Sequence, residues 1–433
     1  MKRLTFYAQL LLYVVLFQVA NAQNEDLINK IRQIGIDSIR PFEINNSRYK
    51  AAYELFVSQD IEHAKPESGK FYQRVILRHR GFDRPTVIVT EGYAAGYALW
   101  ADYDDEIAEA LDANLIVVEH RYFGKSVPKP KVWEHLNLAN ATADLHFVNQ
   151  MFRKIYPMSW VSTGISKGGQ TSIYYRYFYP DDVQASVPYV APLNFSVSDK
   201  RVYTFQDTVA NAHCRQRLLE LQTDLLKRRE VFEPMFADSA AKRELTFGLV
   251  GGVAKAFEYN VLEFGFAYWQ WYPISCEALP EPGSDKNLVF GAFAEATGYD
   301  FFADQSIRAF QPFFYQALTE MGFYSYNVKP FKEYLNEVKQ PSFNHTLPDG
   351  IKANYNKKLS KKVSRWLQKD GNNMLYIYGG YDAWSSTAVQ TGDKTNAIKL
   401  VLPGGSHATR LGNFDEATRL EAISRLKEWT GVQ

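Results

Sequence analysis

Gly164-Ile165-Ser166-Lys167-Gly168 sets a serine between two glycines, with a lysine directly after it. In a G-x-S-x-G turn the glycines permit a sharp bend that lifts the serine hydroxyl above a strand end. The amide of Lys167 then faces the site as an oxyanion donor at a helix start. The same five residues also suit an ordinary glycine-rich loop, so the pattern needs partners. A serine hydroxyl is a weak nucleophile without a base, and the base needs an acid to orient it. His407, in "LPGGSHATR", is the one histidine near the end of the chain, and Asp382 lies before it in "YIYGGYDAWSS". The order Ser166, Asp382, His407 is the order a strand-turn-helix serine hydrolase requires. Asp393 is the competing acid, but it follows no strand. The second oxyanion donor is expected after "TVIVTEGY", from the amides of Gly92 and Tyr93. Glu119, His120 and Arg121 leave another strand end and read as a structural ion pair beside the cleft. His120 precedes Ser166, the wrong order for the base. The Lys167 side chain is expected in solvent or in a salt bridge.

These residues need strands to hold them. "PTVIVTEG", "ANLIVVEHRYFG", "SWVSTGIS" and "VQASVPYVAPL" are short apolar, β-branched runs. "YDDEIAEALDA", "LANATADLHFVNQMFRKIYP" and "GGQTSIYYRYFYP" have helical spacing and alternate with them, and Asn140 or Thr142 is a candidate cap for the second. Such alternation predicts a mostly parallel α/β sheet. Ahead of it, "RYKAAYELFVSQDI" and "KFYQRVILRHR" predict antiparallel strands. Past Phe195 the alternation stops and helical, aromatic-rich segments follow. It resumes near Ser364 with helix, strand, strand and helix. The expected organisation is a leader at 1–22, a core at 23–195, a helical cap inserted at 196–363 after the sixth strand, and the rest of the core at 364–433. Ser166, Asp382 and His407 would all stand at the C-terminal ends of strands, where open α/β sheets place their sites.

Composition narrows the function classes. The 433 residues are 46% hydrophobic and 22% charged, ordinary for a folded chain, and the formal net charge of +1 argues against a nucleic-acid partner. The 28 Tyr and 29 Phe suit aromatic-lined clefts and packed cores alike. Lys2 and Arg3, the apolar run to Ala20, and Ala20-Asn21-Ala22 read as a secretory signal cleaved after Ala22. The alternative is an uncleaved anchor, for which the run is short. The mature chain is therefore expected in the periplasm or outside the cell, without a membrane span. The two cysteines, Cys214 and Cys276, read there as one disulfide, against two free buried thiols as the alternative. No metal-ligand cluster or nucleotide loop is present, so no metal and no cofactor are expected.

At the reactive segments the chain resembles a known family. "GISKGGQTSIYYRYFYPDDV", with "ASVPYVAPLN", is similar to the nucleophile segment of the secreted prolyl tri/tetrapeptidyl aminopeptidases, which reads G-A-S-K-G-G-M-T. "VEHRYFGKSVP", "YGGYDAWS", "LPGGSHATRL" and "FFYQALTEMGFYSY" resemble blocks of the related prolyl carboxypeptidase and dipeptidyl peptidase II family. The similarity runs from about Val75 to the C-terminus. It implies an α/β-hydrolase with a helical cap and carries the triad onto Ser166, Asp382 and His407. It also implies a serine peptidase that removes short peptides, tripeptides in the first instance, from free N-termini of oligopeptides, often after proline. Ile165 and Gln170 replace the family's Ala and Met beside the nucleophile, which puts the proline preference in doubt. An aminopeptidase must hold the substrate ammonium, and Glu320, Glu119 and Glu91 are the candidate acids. Two other readings stand beside this one: an esterase or lipase on the same fold, and a non-catalytic binding protein that kept it. Neither the oligomeric state nor the residue before the cut follows from the sequence.

Overall fold

The computed structural model describes residues 24–432. The predicted leader and its cleavage point lie outside them. Nine strands form one sheet: β1 (Ile39–Pro41), β2 (Ala51–Asp60), β3 (Lys70–His79), β4 (Thr86–Thr90), β5 (Asn114–Val118), β6 (Trp160–Ile165), β7 (Ala185–Tyr189), β8 (Leu375–Gly379) and β9 (Ile398–Leu402). Their order is β1-β2-β3-β5-β4-β6-β7-β8-β9. β1 to β2, β2 to β3 and β3 to β5 are antiparallel, and every later pairing is parallel. The parallel strands β4, β5 and β7 are buried at every position. That is why their sequences read as unbroken apolar runs and not as alternation. β1, three residues long, carries no readable pattern of its own.

The order exchanges β4 and β5, so β4 lies beside β6 at the centre of the sheet. Chain leaving β4 crosses to one side, to β5, and chain leaving β6 crosses to the other, to β7. At such a switch point the two departing loops leave a crevice at the C-terminal strand ends. The loop carrying Gly92 and the turn carrying Ser166 border it. An antiparallel entry followed by this parallel order is the α/β-hydrolase sheet.

Residues 24–33 form the first helix, α1. The next are α2 (Glu106–Ala110), α3 (Leu138–Phe152) and α4 (Lys167–Phe178). Asn137 caps α3, its side chain accepting from the Asn140 amide at 2.8 Å. The expected caps, Asn140 and Thr142, sit inside the helix. Asn140 instead accepts from the His63 amide, and the Thr142 hydroxyl donates back to Leu138 O. After β7 come α5 (Arg201–Thr208), α6 (Ala212–Lys227), α7 (Arg229–Lys242), α8 (Val253–Trp271), α9 (Lys286–Thr297) and α10 (Asp304–Gln316), with no strand among them. Leu221, Leu225, Phe232, Phe236, Phe257, Phe264 and Phe293 pack these helices into a core of their own. Cys214, in the first turn of α6, and Cys276, just past α8, are joined as a disulfide with their Cα atoms 5.5 Å apart. α11 (Leu359–Lys369) and α12 (Glu416–Thr430) return to the sheet. Val363 and Leu367 of α11 pack with Ile173 and Tyr174 of α4 and with Tyr376 and Tyr378 of β8. Among the described residues, no helix is long and apolar enough to cross a membrane.

Candidate active site

β6 ends at Ile165 and α4 begins at Lys167, so Ser166 is the whole of the turn between them. Its φ of 57° and ψ of −119° lie where a side chain is strained. The neighbours enforce that backbone. The Ser166 amide donates to Tyr189 O of β7 at 2.9 Å, and its carbonyl accepts from Gln170 N at 2.8 Å. The glycines let α4 press against the sheet. A Cβ on Gly164 would meet the Gly168 carbonyl at 2.5 Å, and one on Gly168 would meet Thr90 O at 2.7 Å.

Asp382 and His407 leave the ends of β8 and β9. Asp382 is fully buried and caps a short 3-10 turn, Ala383–Thr387, by accepting from Trp384 N at 3.0 Å. Its other oxygen accepts from the Ser385 hydroxyl and faces His407 Nδ1, each at 2.9 Å. A carboxylate only accepts, so Nδ1 carries the proton and Nε2 keeps its lone pair. The His407 amide donates to Gln270 O of α8 at 2.8 Å, and the Trp271 ring stands edge-on to the imidazole at 5.5 Å. None of the hydrogen bonds of His407 reaches Ser166. Asp393, the competing acid, is exposed in a loop.

A cavity of about 350 Å³ opens over the serine. The core contributes Tyr93, Ser166, Lys167, Gln170 and Trp384, and the cap contributes Glu263, Trp271, Phe310, Phe313 and Tyr324. That volume suits a few residues of peptide. Gln170 faces the cavity and donates to Met321 O at 3.3 Å, tying α4 to the cap. Ile165 is instead 45% exposed and outside the lining, so of the two unusual neighbours only Gln170 shapes the cavity.

Several sequence expectations need correction. The Lys167 side chain is neither solvated nor salt-bridged: the residue is buried and its Nζ donates to Gly92 O at 2.7 Å. Glu119 and Arg121 do not pair with each other. Glu119 is fully buried and paired with Arg74, and it also accepts from Ala95 N, Lys125 N and the Ser126 hydroxyl. Its capacity is used up holding the loops after β4 and β5. Arg121 pairs instead with Asp144, both buried. Glu320 accepts from Leu138 N at 2.6 Å, at the start of α3, and lies outside the cavity. Glu91 accepts from the Tyr97 hydroxyl in the loop after β4, and burial raises its carboxyl to about 7. None of these three acids faces the space above Ser166. Two other acids line it, Asp300 and Glu263 of α8, and the sequence reading missed both; Glu263 is the buried one. Both its oxygens accept from the Tyr324 hydroxyl, at 3.0 and 2.9 Å, and one also accepts from the Tyr326 hydroxyl at 2.5 Å. Burial raises it to about 8. "GFYSY", three aromatics in a row of five, was the available signal, but nothing in it points back sixty residues to a carboxylate.

A strained serine on a strand-to-helix turn, on a sheet of this order, defines the class as a serine hydrolase of the α/β-hydrolase fold. The chain belongs to the PS-10 peptidase S37 family, whose model matches residues 26–433, and it is a serine peptidase. The match begins well before Val75, where the motif resemblance began. Over 382 residues, 86% of this chain and 79% of the relative, the chain is 31% identical to the prolyl tri/tetrapeptidyl aminopeptidase of Streptomyces mobaraensis. Among solved structures, proline iminopeptidase of Mycobacterium smegmatis is similar at a TM-score of 0.43 and 13% identity, over 87% of this chain and 98% of that one. VinJ is similar at a TM-score of 0.40 and 11% identity, over 92% and 100%.

Proposed function

We propose that this serine peptidase is a secreted exopeptidase that releases short peptides, tripeptides in the first instance, from free N-termini. In this reading Ser166 attacks the scissile carbonyl, His407 takes its proton, and Asp382 holds the imidazole and stabilises its cation. The amide of Lys167 and that of Tyr93, in the loop that also carries Gly92, receive the oxyanion. Water then releases the acyl group. The 2.9 Å bond between His407 and Asp382 supports the orienting role. The gap from imidazole to serine is the kind that closes when substrate binds. The helices of residues 196 to about 358 act as the cap, with α11 counted in the core because it packs on α4. The disulfide bond within that cap agrees with an oxidising compartment.

The observation that carries the exopeptidase reading is Glu263 in the same cavity as Ser166. Two acids line that cavity. Asp300 is engaged by Arg243 at 3.1 Å on the surface, whereas Glu263 has no cation within ion-pair distance among the described residues. A substrate ammonium would supply one. α8 also spaces Glu263 from the residue that holds His407. Glu263 lies seven residues, two turns, before Gln270, whose carbonyl holds the His407 amide. Two turns advance about 10 Å along the axis, at 1.5 Å per residue. Three residues of extended chain span about the same length, at roughly 3.4 Å each. A proline preference draws only on the relative's name, and the cavity lining supplies no separate argument for it.

The test uses a library of free and N-acetylated peptides read by mass spectrometry. Wild-type protein is expected to release tripeptides from free termini and to spare the blocked ones. Ser166→Ala is expected to release nothing, and Glu263→Gln to raise KM on free-amine peptides by about 10-fold or more, the worth of one buried ion pair. Equal cleavage of free and blocked peptides by wild type and Glu263→Gln would overturn the amine-binding role. Undiminished cleavage by Ser166→Ala would overturn the mechanism.

A further inference from the structure

Lys167 is a buried cation beside the nucleophile that the triad does not use. It is the first residue of α4 and is 2% exposed. Its side chain does not turn toward Ser166 but runs beneath the loop after β4. There Nζ donates to Gly92 O at 2.7 Å and lies 5.6 Å from the ring centres of Tyr93 and of Phe123. The fit leaves no slack: a Cβ on Gly92 would come within 2.7 Å of Lys167 Cβ and Cγ. Burial presses its ammonium well below the usual lysine range, and nearby Glu91 acts against that. One carbonyl and two ring faces are what this environment offers the charge in exchange for water.

The consequence follows from peptide planarity. In a trans peptide the C=O and the next N–H point to opposite sides. Pinning Gly92 O onto Nζ therefore turns the Tyr93 N–H away from the lysine. Tyr93 itself lines the cavity over Ser166, and its carbonyl is fixed from behind by His120 N at 3.1 Å. Meanwhile the main-chain N–H of Lys167 opens α4, where helix amides lack intrahelical acceptors.

We infer that Lys167 is a positioning residue for the whole oxyanion hole: its main chain supplies one donor, and its side chain, through Gly92 O, sets the orientation of the other. The inference rests on the reading of Ser166 as nucleophile. It makes the lysine of the motif an element of transition-state stabilisation, with no part in binding the ground-state substrate or in moving a proton. Removing the ammonium leaves the 92–93 peptide free to rotate, so that the developing oxyanion meets one fixed donor where there were two.

The experiment compares wild type with Lys167→Met, which keeps the length and apolar packing of the stem and loses the donor. Loss of one oxyanion donor lowers kcat by about 100-fold, and a donor left in place but unfixed by about 10-fold or more, so a fall in that range is expected. KM on a free tripeptidyl substrate is expected to stay within about 3-fold, since the contact is made in the transition state alone. A peptidyl trifluoromethyl ketone, which presents a tetrahedral oxyanion, should lose affinity by the same factor as kcat. A non-hydrolysable ground-state peptide should not. Unchanged kcat, or parallel losses for both inhibitors, would overturn the inference. Fluorophosphonate labelling separates this from the underlying reading. If wild type labels at Ser166 and Lys167→Met keeps full kcat, only the role of the lysine is wrong. If wild type does not label, the nucleophile is wrong. Should Lys167→Met melt early, Lys167→Leu, shorter and equally without a donor, is measured in the same way, and an undiminished kcat there overturns the inference equally.

Discussion

Glu263 shows how environment, not residue type, determines what a carboxyl can do. Burial raises it to about 8, and the two tyrosine hydroxyls act in the opposite direction without reversing the shift. Near neutral pH the empty site therefore holds a proton that an incoming ammonium must displace. For free-amine peptides kcat/KM should climb with pH toward about 8, and this limb should be missing in Glu263→Gln. The same proton affects stability. The folded value lies above the unfolded one, so the contribution is whole below the unfolded value, near 4.5, and is lost as pH rises through about 8. Replacing Glu263 by Gln removes that loss, worth up to a few kcal/mol for a shift of this size. The variant is expected to melt a few degrees higher than wild type at pH 8.5 and level with it near pH 4. Matching melts at both pH values would show that the carboxyl is not buried as described.

The β6-turn-α4 unit works by close approach. Gly164 lies against the Gly168 carbonyl, and Gly168 against Thr90 O, so helix and strand touch backbone to backbone. In Gly164→Ala the added methyl would meet main chain at 2.5 Å, which no side-chain adjustment can relieve. Overpacking at main chain commonly costs about 1–3 kcal/mol or more. It should also shift Ser166, so fluorophosphonate labelling is expected to slow at least 10-fold even in the fraction that stays folded. Labelling at the wild-type rate would mean that the turn tolerates a methyl. This unit was legible from the sequence because strand, turn and helix are contiguous. Glu119 and Glu320 were misplaced for the opposite reason. Each lies within or beside a reactive block, but nearness to a motif along the chain does not say which way a side chain faces. Glu119 turns toward the loop after β4 and Glu320 turns toward α3.

At the scale of the molecule, the cap is more than a cover. α8 carries Glu263 into the cavity and holds the His407 amide through Gln270 O, so the proposed substrate anchor and the proposed base are both tied to one helix. The Cys214–Cys276 disulfide ties the start of α6 to the segment after α8 across 62 residues. Closing a loop of that length removes roughly 4 kcal/mol of unfolded-state entropy. Replacing both cysteines by alanine is expected to lower the melting temperature and raise KM more than it lowers kcat, because the cap loosens while the strand-borne groups stay in place. A kcat loss with KM unchanged would instead place the effect at His407.

The sequence by itself determined the strand ends, the Gly164–Gly168 turn, and that Ser166, Asp382 and His407 follow strands in that order. Those rest on local periodicity and on short turns whose chemistry is written in adjacent residues. It also determined that a helical module interrupts the sheet, because apolar strand runs stop at Phe195 and resume past Ser364. Only the tertiary structure decided which carboxylate faces the serine, which way Lys167 turns, and that Arg121 pairs with Asp144 and not with Glu119. Those outcomes depend on which side chains from distant segments are excluded from water together. Burial of that kind is a property of the packed chain, and no window of the sequence contains it.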